Sequence, residues 1–208
     1  MDIVEDPSIL CIVWMSMPAR SLSRIRERVV KPHLRQAGVP DAPQLRSSQH
    51  LYGLPSQSRG PHAELLREEN EAIDLAFGIA EVCERRYMPW VMASAASSLL
   101  WEFPQWSGIG FRDVDFAACA YGAKRNKIQR LRCSKGMGEV LKPISRKCPG
   151  NHEHEPWGPV ITKGKFMGFA TAQEEAMPWE LARSVSELLG SFIKDSWSSW
   201  KIGTVASP

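Results

Sequence analysis

The 208-residue chain lacks long apolar segments and closely spaced cysteine pairs. Its longest apolar run near the start, residues 9–17, is far shorter than the ~20 residues of a membrane-spanning helix. Asp2, Glu5 and Asp6 precede that run, where a signal peptide would carry basic residues. The five cysteines are odd in number and widely spread, which argues against a disulfide framework. We therefore expect an intracellular protein, cytoplasmic or nuclear, with no membrane role.

Internal repeats and low-complexity tracts are also absent, which excludes a solenoid. Hydrophobic residues make up 43% of the chain and charged residues 24%, so wholesale disorder is disfavoured. The net charge of +3 permits contact with phosphate but is too small for a dedicated nucleic-acid-binding module. Because a chain of this length forms one core, we predict a single α/β domain over residues 1–195. Residues 196–208 are predicted to be a flexible tail.

The apolar pattern predicts a strand, a helix and a second strand. Residues 8–15 form a short apolar segment rich in β-formers, which is typical of a strand buried on both faces. Apolar residues then recur at helical spacing over residues 61–86, and residues 89–92 are a second strand candidate. Strand, helix and strand in this order build a parallel sheet by a right-handed crossover. We expect a Rossmann-like partial parallel sheet with flanking helices and long irregular loops.

Weaker signals fill the rest of the chain. Residues 18–61 have no sustained period and predict a long surface loop with one short basic helix near residues 23–30. A further helix is predicted to begin at residues 96–102, capped by Ser94 or Ser97, and a strand is predicted at residues 111–116. We expect an irregular region at residues 143–168 and one or two closing helices at residues 170–193.

Three segments share their order and character with a known enzyme family. They are the strand and loop at residues 12–23 (IVWMSMPARSLS), the strand and Ser-Ser-Leu-Leu-Trp run at 89–101 (PWVMASAASSLLW), and the Tyr-Gly turn with basic residues at 116–131 (FAACAYGAKRNKIQRL). In this order they resemble the Gly-Pro-Pro-Cys loop, the Glu-Asn-Pro strand end and the Tyr-Gly turn of cytosine-5 DNA methyltransferases, particularly divergent members from mobile elements and phages. Residues 45–55 and 148–157 also fit, so the resemblance spans about residues 9–190.

The resemblance implies that both groups which activate the cytosine ring are missing. In the family, a loop cysteine attacks carbon 6 of the base as a thiolate, and the glutamate of Glu-Asn-Pro holds the flipped base. The corresponding positions in this chain are Ala19 and Ala93. Because alanine has no group that can replace the sulfur, we expect no methyl transfer.

The resemblance also implies that the cofactor-binding segment is missing. In the family, the glycine-rich loop that receives S-adenosylmethionine lies upstream of the loop cysteine, and no Gly-x-Gly sequence follows a predicted strand here. Gly136-Met-Gly138 is the nearest match, but it follows no clear predicted strand. We therefore predict no cofactor, with S-adenosylmethionine bound only if a partner chain supplies the other half of the domain.

Nucleic-acid contacts are implied at Arg20, Ser97, Lys127 and Arg130. The last two lie in residues 124–135, the densest positive charge in the chain. Family position favours contact of this stretch with a DNA backbone. A solvated strand and loop explains the same charges, and both interpretations stay open.

Cys148, His152 and His154 are candidate zinc ligands, with Cys133 as a possible fourth. Their spacing departs from common zinc motifs, because the two histidines are only two positions apart and Cys148 has no cysteine nearby. An ordinary polar loop is the alternative. The predicted site residues therefore include no metal ligand, and the question stays open at this point.

Three functions follow as hypotheses. The first is a degenerate, inactive DNA methyltransferase-like fragment with residual nucleic-acid binding. The second is one subunit of an active split cytosine methyltransferase, in which a partner chain supplies the nucleophile and the cofactor half. The third is a DNA-binding or scaffold domain without chemistry.

Overall fold

The computed structural model describes residues 11–17, 20–170 and 177–205, with side chains described as far as residue 196. A four-stranded sheet lies at the centre and consists of β1 (Val13–Ser16), β2 (Trp90–Ala95), β3 (Arg112–Ala117) and β4 (Ile128–Cys133). A separate hairpin consists of β5 (Pro159–Thr162) and β6 (Lys165–Phe169). The α-helices of the described residues are α1 (Pro32–Gln36), α2 (Ala63–Arg85), α3 (Lys135–Leu141) and α4 (Trp179–Val205).

The central sheet is mixed, with the strand order β1-β2-β4-β3. β1 and β2 are parallel, and α2 connects them as the predicted strand–helix–strand unit. β4 is antiparallel to both of its neighbours, β2 and β3. The prediction of helices around a sheet with a parallel pair is therefore confirmed. The sheet is not parallel throughout, because the short segment between β3 and β4 permits antiparallel pairing.

Helix α2 covers one face of the sheet. Its buried residues recur every three or four positions and form one continuous face: Leu66, Glu69, Ile73, Ala76, Phe77, Ala80 and Cys83. Trp90 and Met92 of β2 point into this layer and are fully buried. The spacing therefore predicted this helix correctly, to within two residues at each end.

Helices α3 and α4 cover the opposite face. Val91, which lies between Trp90 and Met92, packs there against a cluster that includes Met137 of α3 and Leu181 of α4. Successive side chains of a strand point to opposite faces, so β2 is buried on both sides. The result is a three-layer α/β arrangement in which β2 is an interior strand.

The helix predicted at residues 96–102 is a 3-10 helix over Leu99–Glu102. Its cap is Ser98, rather than Ser94 or Ser97, and the Ser98 Oγ accepts a hydrogen bond from the Leu100 backbone N–H at 3.2 Å. Pro104 disfavours the helical conformation at the residue before it, so the turn cannot extend into a longer helix.

The region predicted to be irregular at residues 143–168 contains the β5–β6 hairpin. Its two turn residues, Lys163 and Gly164, have positive φ angles of 49° and 73°, as a tight type I′ turn requires. The usual Asn-Gly signal for such a turn is absent, which is why the sequence did not predict the hairpin.

Helix α4 extends to Val205 and so enters the segment predicted to be a flexible tail, residues 196–208. Residues 206–208 lie outside the described residues. In the part of the chain that the structure describes, no helix combines the length and the apolar character that crossing a membrane requires.

Candidate functional site

Three strands of the central sheet end at one edge, where β4 begins, and we call this the carboxyl edge. Backbone hydrogen bonds join the segments there: Met17 N to Ala93 O at 3.3 Å, Ala96 N to Ile128 O at 3.0 Å, and Ala118 N to Lys127 O at 2.8 Å. The chain after β1, the turn after β2 and the segment between β3 and β4 therefore lie side by side. In open α/β sheets, ligands bind in the crevice outside this end of the strands.

Several of the sequence-predicted site residues fall at the carboxyl edge. Ala93 lies in β2 opposite Ser16 of β1 and is half-buried. Arg20 and Ser97 are exposed in the segments that follow β1 and β2, and Lys127 directly precedes β4. Ala19, the position of the family nucleophile, lies outside the described residues.

Arg130 differs from these residues because it lies within β4 and pairs with a carboxylate of the neighbouring strand. It lies opposite Asp115 of β3 and donates from Nε and Nη2 to that carboxylate at 2.7 and 2.8 Å. These hydrogen bonds raise the pKa of Arg130. Its neighbour Arg132 pairs with Asp113 at the same two distances, and the Arg132 guanidinium lies 3.9 Å from the ring centre of Phe111. Both arginines are therefore partners in an ion-pair ladder across β3 and β4.

The loop after β1 is attached to helix α2 by buried polar contacts. Glu69, which is 3% exposed, accepts hydrogen bonds from the backbone N–H and the hydroxyl of Ser21. The Arg46 guanidinium is 1% exposed and lies 3.8 Å from the same carboxylate oxygen. Arg46 also donates to the Ser21 hydroxyl at 2.6 Å and to the Asn70 amide oxygen at 2.7 Å. This Ser21–Arg46–Glu69 network fixes the chain two residues beyond Ala19.

Four possible metal ligands converge beyond the end of β3, and we call them the Cys/His cluster: Cys119, Cys148, His152 and His154. Their sulfur and nitrogen ligand atoms all lie within 4.8 Å of one another. Cys148 Sγ is 3.5 Å from His154 Nε2 and 3.9 Å from His152 Nε2, and the two Nε2 atoms are 3.0 Å apart. Cys119 belongs to the 3-10 helix Ala118–Tyr121, which places it at the carboxyl edge.

Contacts outside the cluster hold its two chain segments together. Arg125 is buried and pairs with Glu155 at 2.6 Å, and the Glu155 backbone N–H donates to Lys124 O at 3.0 Å. Trp157 donates from its indole nitrogen to Asn126 O at 3.1 Å. Residues 124–126 are therefore bound to residues 155–157, and part of the basic stretch is compensated by Glu155.

Cys133, which the sequence offered as a possible fourth ligand, does not belong to the Cys/His cluster. Cys133 lies in β4 and is fully buried; its thiol donates to Arg112 O at 3.4 Å, and burial raises its pKa to about 12. Cys119 is the fourth member of the Cys/His cluster, although it is far from Cys148 in the sequence. Burial and the neighbouring Cys148 raise the pKa of the Cys119 thiol. The only sequence signal was its position directly after the predicted strand at residues 111–116.

Comparisons of this chain with protein-family models, with curated proteins and with solved structures found no match.

Proposed function

We propose that the chain is a catalytically silent, cytosine-5 DNA methyltransferase-like domain that contacts nucleic acid through the carboxyl edge of its sheet. The direction of the strands is the observation that carries this proposal. β1, β2 and β3 point the same way, because β1 is parallel to β2 and both β2 and β3 are antiparallel to β4. Without β4, these strands follow each other in chain order, as strands 4, 5 and 6 do in the Rossmann order 3-2-1-4-5-6.

Two alanines support the absence of catalysis. Ala93 lies in β2 beside the end of β1, at the position that resembles the base-binding glutamate of the family. Ala19 stands where the resemblance places the nucleophilic cysteine. A methyl side chain can neither attack carbon 6 of cytosine nor accept a hydrogen bond from the base. The absence of both groups leaves binding without methyl transfer.

Two cations at the carboxyl edge support the contact with nucleic acid. The Arg20 side chain is 72% exposed, and its Nε lies 3.9 Å from a Glu69 carboxylate oxygen, a longer contact than those of Arg130. Lys127 is half-buried and lies in the adjacent segment before β4. Arg130 is less suited to bind phosphate, because contact with DNA would compete with its two hydrogen bonds to Asp115. We therefore assign the phosphate contacts to Arg20 and Lys127, with Ser97 as a neutral donor beside them.

Binding to duplex DNA as a function of salt tests this assignment. Each phosphate contact contributes about 0.9 to the slope of log affinity against log salt concentration, so Arg20→Ala with Lys127→Ala should lower the slope by about 1.8. The matched control is Arg85→Ala with Lys135→Ala, which removes two exposed cations at the opposite edge. The control should keep the slope of the unmodified protein. Equal slopes for both double variants would contradict the assignment.

A second candidate function, the split methyltransferase, is favoured by the outer edge of β1. Among the described residues β1 pairs only with β2, so its other edge is open to a strand from a cofactor-binding half. Binding of labelled S-adenosylmethionine by the purified chain would favour this second function. A flat titration is expected under the first proposal and would count against the split enzyme. None of the five cysteines forms a disulfide, which supports the intracellular location that both functions need.

A further inference from the structure

The Cys/His cluster joins two segments that are distant in the sequence. Cys119 follows β3, whereas Cys148, His152 and His154 belong to residues 145–158, a stretch without helix or strand. Long irregular stretches in a compact domain are commonly held by a function or a ligand. The cluster is therefore the place where a bound group would do most to order this loop.

The distances among Cys148, His152 and His154 are close to those around a tetrahedral zinc ion. With Zn–N near 2.0–2.1 Å and Zn–S near 2.3 Å, tetrahedral angles place two nitrogens about 3.3 Å apart and a sulfur and a nitrogen about 3.5 Å apart. The corresponding distances are 3.0 Å between the histidine Nε2 atoms and 3.5 and 3.9 Å from Cys148 Sγ to them. Shifts of a few tenths of an ångström would bring these three residues onto one ion, and the Cys119 sulfur lies within 4.8 Å of their ligand atoms.

Neighbouring groups orient the ligands as a metal requires. The Nδ1 atom of His152 is 3.3 Å from the Asn151 amide oxygen, a contact that leaves the Nε2 lone pair directed at the cluster. The Gly150 backbone N–H donates to Cys148 Sγ at 3.4 Å, a contact that helps to hold the sulfur in position. Gly150 has a φ of +71°, a conformation that suits glycine and turns the chain back toward His152.

We propose that Cys119, Cys148, His152 and His154 bind one structural Zn²⁺ ion. Two cysteines and two histidines are a ligand set typical of structural zinc, and the two thiolates balance the charge of the ion. Mg²⁺ and Ca²⁺ require oxygen ligands, which this set does not contain. Because four protein ligands fill a tetrahedral shell, the ion has no open position for a substrate. This inference stands independently of the methyltransferase-like function.

The zinc ion would fasten residues 148–154 to the segment after β3. The contacts of Arg125 with Glu155 and of Trp157 with Asn126 lie on the same two segments, so they reinforce the link from its outer side. A metal that binds only the folded arrangement adds its binding free energy to stability. Chelation should therefore loosen the carboxyl edge near Cys119 as well as the loop itself.

Metal analysis and cobalt substitution test the proposal on the full chain. Protein purified without chelators from zinc-supplemented culture should contain about one zinc per chain, as the four-ligand set requires. Cobalt should give the intense visible bands of tetrahedral coordination together with a thiolate charge-transfer band. Cys148→Ser with His154→Gln should weaken zinc binding by more than the about 100-fold that loss of an outer partner costs.

The matched control is Cys11→Ser with His50→Gln, which removes the same residue types away from the cluster and should keep the zinc. The cobalt spectrum of the unmodified protein does not depend on whether the variants fold. A zinc content well below one per chain together with an octahedral cobalt spectrum would overturn the proposal. Retention of zinc by the Cys148→Ser, His154→Gln variant at unchanged affinity would also overturn it.

Discussion

Replacement of Glu69 by glutamine should destabilise the domain strongly, because it leaves the charge of Arg46 buried without its counter-charge. Glutamine keeps the size of the side chain and one acceptor for Ser21, so the change removes mainly charge. Burial lowers the pKa of the Arg46 guanidinium, and the Glu69 carboxylate opposes that effect. At the 3.8 Å separation of Arg46 Nη2 and Glu69 Oε2, an effective dielectric constant of ~20 gives an attraction of about 4 kcal/mol.

This figure agrees with the about 3–5 kcal/mol that removal of one partner from a buried ion pair usually costs. For a domain of this size, 1 kcal/mol changes the melting temperature by about 2–4 °C, so we expect a decrease of about 6–20 °C. Urea denaturation followed by tryptophan fluorescence measures the free energy of unfolding directly, since the chain contains eight tryptophans. The control is Glu68→Gln, an exposed neighbour on the same helix.

A double variant separates the lost charge pair from other effects. Arg46→Met with Glu69→Leu removes both charges, so no buried ion remains without a partner. The loss of unfolding free energy in the double variant should be smaller than the summed losses of Arg46→Met and Glu69→Leu measured singly, by at least about 1 kcal/mol. An unfolding free energy of Glu69→Gln within about 0.5 kcal/mol of the Glu68→Gln value would refute the reasoning.

Two further predictions concern helix α3 and strand β4. Gly138→Ala would place a Cβ atom 2.7 Å from Arg112 Cβ, so urea denaturation should show a loss of about 1–3 kcal/mol. Gly136→Ala on the same helix meets no atom within 4 Å and should instead stabilise by about 0.5–1 kcal/mol; a destabilised Gly136→Ala would contradict this contrast. Burial raises the pKa of Cys133 from 9.0 to about 12. Above pH 9 the thiol therefore loses its proton in the unfolded state but keeps it in the folded state. Because the unfolded state then binds fewer protons, the free energy of unfolding falls as the pH rises toward 12. Cys133→Ala should lack this decrease of up to about 1.4 kcal/mol per pH unit, and identical pH slopes in denaturation series at several pH values would count against it.

The sequence predicted the elements that local periodicity defines and missed those that depend on distant contacts. The spacing of Ile73, Phe77 and Ala80 was sufficient to identify α2, because one helical face carries the pattern. The position of β4 between β2 and β3 depends on pairing across the sheet, which no local pattern contains. The parallel pairing of the first two strands was predicted, and a backbone hydrogen bond from Met17 N to Ala93 O joins their ends.

The candidate sites show the same limit at the level of side chains. The family resemblance implied that Arg130 contacts nucleic acid. Its pairing with Asp115 depends on the register of β3 against β4, which the sequence alone does not reveal. Cys119 could not be identified as a ligand from spacing, because a fold of the chain brings it to Cys148. Three of the four cluster residues were recognisable because they lie within seven consecutive positions, residues 148–154.

The interior position of β4 determines when the sheet can be completed during synthesis. β4 is the last of the four strands to leave the ribosome, yet it supplies the hydrogen bonds on both sides of the gap between β2 and β3. Until residue 133 has emerged, β2 and β3 have no bridging strand, and the carboxyl edge that carries Arg20, Ser97 and Lys127 is not complete. A nascent chain that contains β3 but not yet β4 therefore exposes the unpaired edges of two strands to other proteins.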